Sequence, residues 1–493
     1  MSPDLASCRA LAGQGYTLIP VIRRLVADEL TPVGVLARLR DEPHAFLFES
    51  VVGGERLARY SMLGIAPVAR LTARLDRDGG RVAVETAAGR ELLPGDLYSG
   101  VRAYAQRLRS PQVPGLPRFS GGLVGWFAYD AVRCVEPLPH PPADPLGLPV
   151  LCLARYDTVL VFDHSYNQLL LIAHLDLTSG QSVESAYAQA QRELDALQRR
   201  LETPLPPRLV EPGLGEPLNY QQHTSRAEFE AGVRRCQDFI AAGDAFQIVL
   251  SQRLSAPCTL TPFQIYRSLR SLNPSPYLFY LRSGDTALVG ASPEILVRVE
   301  DGTVSLRPIA GTALRGKDAA EDERLAAALL ADPKERAEHT MLIDLGRNDV
   351  GRVCKPGSVH LTETMVIERY SHVQHIVSHV EGTLRDDCDA LATLRSCHPA
   401  GTVSGAPKVR AMQIIDELEP VRRGPYAGAV GYLDFRGNLD TCIALRTAIL
   451  TPGEVHVHVG AGIVADSDPA MEYEECLRKA RATLEAIARA ARF

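Results

Sequence analysis

The alternation of apolar and polar positions divides the chain into a strand-rich first part and a mixed second part. Short apolar runs such as AFLFESVV, RVAVETA and TVLVFDH predict strands in the first part. A helical period over VESAYAQAQRELDALQRRLE predicts a long helix that ends near Glu202. Beyond about residue 220, helical patterns alternate with short strands, and no fixed period of about 20–50 residues indicates a solenoid. The pattern predicts an α+β fold in which antiparallel sheets are covered by helices.

A segment rich in proline and glycine separates these two parts. The stretch TPLPPRLVEPGLGEPLNY (203–220) follows neither the strand period nor the helix period, and its composition is typical of a linker. A chain of 493 residues is also too long for one ordinary hydrophobic core. We therefore expect two domains, residues 1–215 and 221–493, joined by a linker near 203–220.

Composition narrows the class of protein. The hydrophobic fraction of 46% and the charged fraction of 23% are those of a soluble globular protein. The net charge of -6 argues against a nucleic-acid surface, which requires a basic face. The sequence predicts neither a membrane span nor a secretory signal, and ten scattered cysteines indicate a reducing compartment. We expect a cytoplasmic protein that binds neither nucleic acid nor membranes.

Two segments each predict a helix with two carboxylates three residues apart. Asp-Pro, a typical helix start, opens both DPKERAE (332–338) and DPAMEYEE (468–475). Glu335 and Glu338 share one face of the first helix, and Glu472 and Glu475 have the same spacing in the second. Paired carboxylates suit Mg²⁺, a hard cation that keeps waters and shares its shell with an anionic substrate. Solvent-exposed helices with surface salt bridges are the alternative.

Two glycine motifs resemble nucleotide-binding loops, but each lacks a feature that nucleotide binding requires. RPIAGTALRGK (307–317) has the spacing G-x-x-x-x-G-K, but Asp318 stands where a phosphate loop has Ser or Thr. In VHVHVGAGIVAD (455–466), the predicted strand continues through Val464 and the helix begins only near Asp468, whereas a dinucleotide motif opens its helix directly. We therefore expect a turn in the first motif. In the second, we expect glycines that let the main chain approach an anionic ligand.

Other polar patterns are less specific. His456 and His458 alternate on one strand face and are expected to be exposed rather than metal ligands, because no third ligand lies nearby in the sequence. HPAGTVSGAPKVRAM (398–412) places Thr402 and Lys408 ahead of a helix, whose N-terminus could hold an anion. The residues alone predict an enzyme with a magnesium-assisted site for an anionic small molecule, and leave the reaction open.

Taken together, the motifs resemble those of the chorismate-utilising enzymes and are most similar to the large subunits of anthranilate synthases. They follow the family's order over about residues 225–485 and comprise GDAFQIVLSQR, NPSPYLFYL, GASPEILV, RPIAGTALRG, DPKERAEHTMLIDLGRNDVGRV, YSHVQHIVSHVEG, PAGTVSGAPKVRAM, RRGPYAGAVGY, DTCIALRTAI, GAGIVADSDP and EYEECLRKA. YTLIPVIRRL, FLFESV and RYSMLGIAP resemble the regulatory domain of the same subunit. The resemblance implies antiparallel sheets packed as a sandwich flanked by helices, with a regulatory domain at 1–215 and a chorismate-binding catalytic domain at 221–493.

The resemblance also implies a reaction and a set of site residues. Members of this branch are Mg²⁺-dependent lyases of tryptophan biosynthesis that convert chorismate and ammonia to anthranilate and pyruvate through aminodeoxyisochorismate. By resemblance, Glu338 and Glu475 hold Mg²⁺, and Glu335 acts as general acid for the leaving hydroxyl. His375 takes the C2 proton in the elimination. The other residues implied at the site are Thr402, near the ring carboxylate, and the chorismate contacts Gly311, Thr312, Tyr426, Arg446, Gly460, Ala461, Gly462 and Lys479.

Two positions distinguish this branch from its relatives. The water-adding isochorismate and salicylate synthases carry a lysine base where this chain has Gln247, and a neutral amide cannot act as that base. Aminodeoxychorismate synthases typically carry lysine in place of Ala310, where its amine can attack C2. Ammonia as nucleophile and anthranilate as product are therefore favoured.

The resemblance implies a partner and an inhibitor. The family usually receives ammonia from a separate glutamine amidotransferase subunit, and no cysteine here lies in a Gly-x-Cys-x-Gly setting, so we expect a hetero-oligomer. Feedback inhibition by L-tryptophan is implied as well. The alternatives are an aminodeoxychorismate synthase component I of the folate pathway and a non-catalytic tryptophan-binding regulator. The residues implied for tryptophan are Glu49, Ser50, Pro276, Tyr277 and Leu278.

Overall fold

The computed structural model describes residues 2–50, 59–75, 80–206, 209–211, 213, 215–369 and 373–493. The strands in these residues are β1 Leu18–Val26, β2 His44–Glu49, β3 Tyr60–Ile65, β4 Ala69–Ala73, β5 Ala83–Thr86, β6 Gly89–Leu92, β7 Gly122–Phe127, β8 Leu151–Tyr156, β9 Thr158–Asp163, β10 Gln168–Asp176, β11 Gln221–Gln222, β12 Gln247–Pro257, β13 Tyr277–Ser283, β14 Thr286–Ser292, β15 Ile295–Glu300, β16 Thr303–Leu306, β17 Ile309–Leu314, β18 His360–Arg369, β19 Val373–Thr383, β20 Gly405–Ala406, β21 Ala429–Asp434, β22 Leu439–Ile443, β23 Thr447–Thr451 and β24 Glu454–Ile463.

Helices connect many of these strands. The α-helices are α1 Leu5–Gly13, α2 Pro32–Arg38, α3 Leu97–Ala105, α4 Val183–Glu202, α5 Arg226–Ala241, α6 Pro262–Leu272, α7 Ala319–Ala331, α8 Pro333–Gly351, α9 Ala390–Cys397, α10 Lys408–Leu418 and α11 Pro469–Arg489, and the 3-10 helices are Tyr129–Cys134, Gly401–Val403 and Ala490–Arg492. Within the described residues, no helix is long and apolar enough to span a bilayer.

The described strands form two sheets of twelve strands each. The first sheet has the order β1-β10-β9-β3-β2-β13-β14-β23-β24-β12-β11, with β20 paired to β12, and the second has the order β17-β19-β16-β15-β22-β21-β7-β8-β4-β5-β6, with β18 paired to β19. Neighbouring strands run antiparallel, as at β2–β13 and β7–β21. Both of these pairs join a strand before the predicted linker to one after it. The two parts of the sequence therefore share both sheets, and their division into domains stays a prediction.

The first sheet is the middle layer of the molecule. Its strands alternate between two cores, as the two-residue period of a strand requires. Ile22 and Phe279 face the core shared with the second sheet, whereas Val21 and Tyr280 face the core shared with the helices. This arrangement confirms the predicted α+β fold of antiparallel sheets packed as a sandwich and flanked by helices.

The two carboxylate-bearing helices begin where their Asp-Pro sequences predict. Asp332 accepts hydrogen bonds from the main-chain N–H groups at the start of α8, and Asp468 caps α11 in the same way. Proline follows each cap in the first turn, where a missing N–H costs nothing. Glu335 and Glu472 lie in these first turns, and the positive end of the helix dipole stabilises their negative charges.

The predicted exposure of two histidines was wrong. His456 and His458 are only 2% and 3% exposed, because β24 lies between β23 and β12 in the interior of the first sheet. Ser255 and Ser251 of β12 each form a hydrogen bond with one of these rings, at 2.8 Å and 3.0 Å. Burial lowers the pKa of both imidazoles. They are therefore neutral polar members of the sheet.

Candidate active site

A bulge in β17 gives the motif RPIAGTALRGK its shape. The register of β17 against β19 shifts between Ala310 and Thr312, and Gly311 adopts a φ of +65°, which other residues adopt only under strain. A Cβ atom at Gly311 would lie 3.0 Å from Oε2 of Glu335. The glycine therefore serves a bulged strand close to the carboxylate of α8, rather than the predicted turn.

The bulge also orients His375 on the neighbouring strand β19. Nδ1 of His375 lies 2.8 Å from the carbonyl oxygen of Gly311 and 3.1 Å from Oγ1 of Thr312. Because a carbonyl oxygen only accepts, Nδ1 carries the proton and Nε2 carries the lone pair. Burial, together with the charge of Arg446, lowers the pKa of His375, although the bond to Gly311 opposes this shift. The ring is therefore neutral near pH 7 and can act as a base.

A buried carboxyl group that the sequence did not predict lies near these residues. Glu294 follows β14 and is 8% exposed. Oγ1 of Thr402 donates a hydrogen bond to Oε1 of Glu294 at 3.0 Å. Burial raises the pKa of Glu294 to about 8, although the bond from Thr402 and the charge of Arg446 oppose the shift. Glu294 lies inside the family motif GASPEILV, but nothing in that local pattern indicates that its carboxyl group is buried.

The positive charge of Arg446 acts on both Glu294 and His375. It opposes the rise in the pKa of Glu294 that burial causes, and it adds to the fall in the pKa of His375. The backbone of Arg446 has a φ of 49°, a left-handed conformation that costs a non-glycine residue about 1–3 kcal/mol. Such strain is concentrated at ligand-binding and catalytic positions, and a guanidinium group there is suited to grip a carboxylate with two parallel hydrogen bonds.

Strand β24 forms another wall of the site, and neighbouring atoms leave little room for a side chain at two of its glycines. A Cβ atom at Gly460 would lie 2.8 Å from the hydroxyl oxygen of Tyr426, and one at Gly462 would lie 2.9 Å from Nε2 of Gln247. At Gly460 the main-chain oxygen of Leu250 also lies 2.8 Å from that Cβ position, so a larger residue there would force the neighbouring strand to move. Ala461, between the two glycines, packs in the helix-side core. Only its main chain is therefore available on the side that the glycines face.

Carboxylates from α8 and α11 approach one another. Burial raises the pKa of Glu335, and repulsion from Glu338 and, more weakly, from Glu475 adds to the shift. Nε2 of Gln247 lies 3.4 Å from Oε1 of Glu338. Mutual repulsion of this kind would be relieved by a cation between the helices, so these residues fit a bound metal ion.

Lys479 ties α11 to the glycine strand. Its Nζ atom lies 2.7 Å from Oε1 of Glu475 and donates a hydrogen bond to the carbonyl oxygen of Gly460 at 3.1 Å. Among the described residues, no group of three or more His, Cys, Asp or Glu side chains is arranged to hold a metal ion by itself. A cation that completes its shell with water and substrate, as Mg²⁺ does, fits two carboxylates better than one that needs a full protein cage.

The residues predicted to bind tryptophan lie together, in a cavity whose lining includes none of the polar residues just described. Leu278 of β13 is the register partner of Glu49 in β2. Arg298 and Asp440, which form an ion pair at 2.9 Å, also line the cavity, and Oη of Tyr277 donates to Asp440 at 3.0 Å. All five predicted residues, Glu49, Ser50, Pro276, Tyr277 and Leu278, line this one cavity.

The remaining predictions have mixed outcomes. Thr402 reaches the site through its bond to Glu294. Lys408, the other residue of the predicted anion site at the N-terminus of α10, forms an ion pair with Asp349 at 2.7 Å, and both side chains are largely buried. The charge of Lys408 is therefore already neutralised within the protein. Ala310 is 9% exposed in β17, directly before the bulge.

Comparison with known proteins places this geometry in a family. The profile described as chorismate binding enzyme matches residues 44–485. Anthranilate synthase component 1 of Pseudomonas aeruginosa is 47% identical over 485 residues, 97% of each chain. The corresponding protein of Acetivibrio thermocellus is 44% identical over 490 residues, 98% of each chain.

Solved structures agree with the sequence comparison. Anthranilate synthase component I from Streptococcus pneumoniae superposes with a TM-score of 0.78 at 37% identity, covering 94% of this chain and 99% of that chain. The menaquinone-specific isochorismate synthase from Escherichia coli, with a TM-score of 0.70 and 20% identity over 98% of both chains, shares the fold. Because the family profile and these relatives each match most of its length, the chain belongs to the chorismate-binding enzymes.

Proposed function

We propose that this chain is the chorismate-converting subunit of an anthranilate synthase, which turns chorismate and ammonia into anthranilate, pyruvate and water. The observation that carries the proposal is geometric: Thr402 donates a hydrogen bond to the buried carboxyl group of Glu294, and the carbonyl oxygen of Gly311 accepts one from Nδ1 of His375. Burial raises the pKa of Glu294 and lowers the pKa of His375, so these residues supply one proton donor and one proton acceptor. Relatives up to 47% identical over nearly their whole length are anthranilate synthase components 1.

In the first step, Glu294 donates its proton to the C4 hydroxyl, which leaves as water. The ring double bonds shift as ammonia forms a bond to C2, and the added nitrogen then loses a proton to give aminodeoxyisochorismate. A buried carboxyl with a pKa of about 8 remains protonated until the leaving group needs its proton. Glu335, whose pKa is also raised, is the second candidate for this role.

In the second step, Nε2 of His375 takes the proton from C2. The bond between C3 and its oxygen breaks, pyruvate leaves as its enol, and the ring becomes aromatic. The hydrogen bond from Nδ1 to Gly311 holds the tautomer that this step requires. The bulge of β17 therefore helps to position His375 as the base.

The substrate carboxylates are matched by the walls of the site. We propose that Arg446 binds one carboxylate and that Gly311, Thr312, Tyr426 and β24 around Gly460 complete the contacts, with Ala461 and Gly462 contributing through their main chain. Lys479 lies beside the ring carboxylate in this assignment. Glu338 and Glu475 would hold Mg²⁺, which would supply positive charge to offset the ring carboxylate and charge that develops on the ring.

Two side chains support ammonia as the nucleophile and anthranilate as the product. Gln247 lies beside Gly462 and Glu338, and its neutral amide cannot deprotonate water. Ala310 offers no amine that could attack the ring. These positions favour anthranilate synthase over isochorismate synthase and aminodeoxychorismate synthase.

We further propose a partner, a location and an inhibitor. A glutamine amidotransferase subunit would supply ammonia, because the ten free thiols of this chain include none in a glutaminase motif. Free thiols also fit the cytoplasm. The cavity shared by β2 and β13 would bind L-tryptophan.

The test is a product assay with purified chain, chorismate, MgCl₂ and an ammonium salt. We expect fluorescent anthranilate and an equal amount of pyruvate. A non-aromatic 4-amino product would instead support an aminodeoxychorismate synthase. Absence of any product together with binding of tryptophan would support a non-catalytic regulator.

A further inference from the structure

A third cavity, with a volume of about 280 Å³, is lined by residues from four helical segments. These segments are the 3-10 helix Tyr129–Cys134, the end of α8, α9 and the start of α10. The cavity is larger than the 70 Å³ cavity that Glu49 and Leu278 line. It shares no lining residue with that cavity or with the one that Glu294 and Thr402 line. It is therefore a separate place in the fold with room for a small molecule.

One part of the lining is apolar. Val132, Val353 and Met412 line the cavity, and each is at most 5% exposed. Val409, in the first turn of α10, adds to this surface. Burying apolar surface against another apolar group is favourable, so these side chains suit a ligand with an apolar body.

The lining also carries two positive charges that have no close carboxylate partner. Arg352 and Arg395 both line the cavity. The carboxylates nearest to them in effect are engaged elsewhere, since Asp349 pairs with Lys408 at 2.7 Å and Asp96 caps α3. Among the described residues, each of these carboxylates acts on its arginine through longer-range charge. Both guanidinium groups are therefore available to an anion.

The start of α10 adds hydrogen-bond donors. Its N-cap is Pro407, and no side chain caps the first turn, which contains Lys408 and Val409 of the lining. Uncapped N–H groups and the positive end of the helix dipole favour an anion. Because Glu136 also lines the cavity, the two arginines leave one net positive charge. This balance suits a ligand with a single negative charge.

His398 supplies a hydrogen-bond acceptor beside these charges. It lines the cavity and is 4% exposed. Its Nε2 atom lies 3.1 Å and 3.3 Å from the carbonyl oxygens of Ala128 and Tyr129. Because carbonyl oxygens only accept, Nε2 carries the proton and Nδ1 the lone pair. Nδ1 is buried and has no partner among the described residues, although such atoms are nearly always paired.

From these features we infer that this cavity is a binding site for a small monocarboxylate that has an apolar body and a hydroxyl or amino donor. The carboxylate would bind Arg352, Arg395 and the first turn of α10. The apolar body would pack against Val132 and Met412, and the donor would reach Nδ1 of His398. A multiply charged anion fits less well, because the walls are apolar and the net charge is small. The inference does not depend on the reaction that the chain catalyses.

The experiment titrates the full-length chain by calorimetry with para- and meta-hydroxyphenylacetate, which place a hydroxyl donor at two distances from a carboxylate. Phenylacetate lacks the donor, and tyrosol lacks the carboxylate. The variants are Arg352→Gln, Arg395→Gln and Ala392→Phe, the last of which fills the cavity from α9. Arg347→Gln is the matched control, because Arg347 lies on α8, pairs with Asp344 and does not line the cavity.

We expect at least one hydroxyphenylacetate to bind, and each of the three variants to weaken its binding by about tenfold or more. Arg347→Gln should bind within about twofold of the unmodified chain. Phenylacetate should bind about fivefold more weakly, and tyrosol about tenfold more weakly. The inference is overturned if neither hydroxyphenylacetate binds at millimolar concentration, or if both arginine variants bind it normally. Displacement of the probe by chorismate would place it in the active site and would overturn the inference as well.

Discussion

Oγ1 of Thr402 donates a hydrogen bond to Oε1 of Glu294 at 3.0 Å, and so joins the 3-10 helix Gly401–Val403 to the residue just before β15. Ile443 of β22 donates its N–H to the main-chain oxygen of Glu294 at 3.0 Å. Hydrogen bonds therefore hold both the side chain and the main chain of Glu294, which positions its carboxyl group. A group that is positioned in this way and kept protonated by burial is suited to give up one proton at a defined point.

Glu294→Gln should lower the rate of anthranilate formation from ammonia by at least about 100-fold, because general acid catalysis commonly supplies that much. The amide retains the size of the side chain, and Thr402 can still donate to its oxygen, so the protein should remain folded. Steady-state fluorescence of anthranilate measures the effect. If Glu335→Gln abolishes activity while Glu294→Gln retains most of it, the acid is Glu335.

The pH dependence of the rate of anthranilate formation should also reflect the titration of Glu294. The pKa of Glu294 is raised from 4.5 to about 8, so the proton-donating form is lost as pH rises through about 8. The rate, expressed per free ammonia, should therefore fall above that pH. The falling limb should be absent from the residual activity of Glu294→Gln, and a limb that persists there would assign it to another group.

The free energy of unfolding should also depend on the titration of Glu294. Because the folded-state pKa is raised, the contribution of Glu294 to stability is fully present below about pH 4.5 and is lost as pH rises through about 8. Relative to the unmodified chain, Glu294→Gln should therefore become progressively more stable between these values. Urea unfolding at pH 5 and at pH 8 measures the change, and an unchanged difference would contradict burial of a titrating carboxyl.

His375→Ala should slow the elimination of pyruvate by about 100-fold or more, because the base for the C2 proton is lost. The aminated intermediate should accumulate, which chromatography of quenched reactions would show. His379→Ala is the matched control, since His379 lies on the same face of β19 and contacts Glu381. Equal loss in both variants, or anthranilate formed at the normal rate by His375→Ala, would contradict the assigned role.

Glu338→Gln should raise the Mg²⁺ concentration needed for activity by at least about tenfold. Titration of the protein with MgCl₂ by calorimetry gives a readout that does not depend on turnover. Glu474→Gln is a suitable control, because Glu474 is exposed on α11 and pairs with Arg226 instead. An unchanged affinity for Mg²⁺ in Glu338→Gln would remove this residue from the proposed metal site.

Ser50→Trp should make the enzyme resistant to tryptophan. An indole ring attached at Ser50 would occupy the cavity lined by Glu49, Tyr277 and Leu278. The half-inhibitory concentration of tryptophan should rise by about tenfold or more, since a filled site tolerates little extra volume. Activity without tryptophan should be retained, because the cavity is distinct from Glu294 and His375. Undiminished inhibition would place the inhibitor elsewhere.

Several elements could be predicted because their signals are local. The helix over 183–202 follows from its period, and the starts of α8 and α11 follow from Asp-Pro capping. These features depend on groups within one or two turns of each other. Two contacts among the residues carried over from the family join His375 to Gly311 and Lys479 to Gly460, and the roles of these residues stay predictions.

The errors and omissions concern neighbours that are distant in sequence. The His-x-His alternation of β24 is the same whether a strand lies inside a sheet or at its edge, so the burial of His456 and His458 could not be read from it. Likewise, GASPEILV contains Glu294 but does not show what covers its carboxyl group. The pKa of that group depends on burial and on Thr402, which is contributed from 108 residues further along the chain.

By itself, the sequence determined the fold class, the principal helices and the family, because period, capping and motif order are properties of short segments. The tertiary structure alone decided that Glu49 and Leu278 are register partners in one cavity, and that Glu294 is buried with a raised pKa. Exposure and proton affinity depend on what surrounds a group in space, and antiparallel sheets assemble those surroundings from strands far apart in the chain.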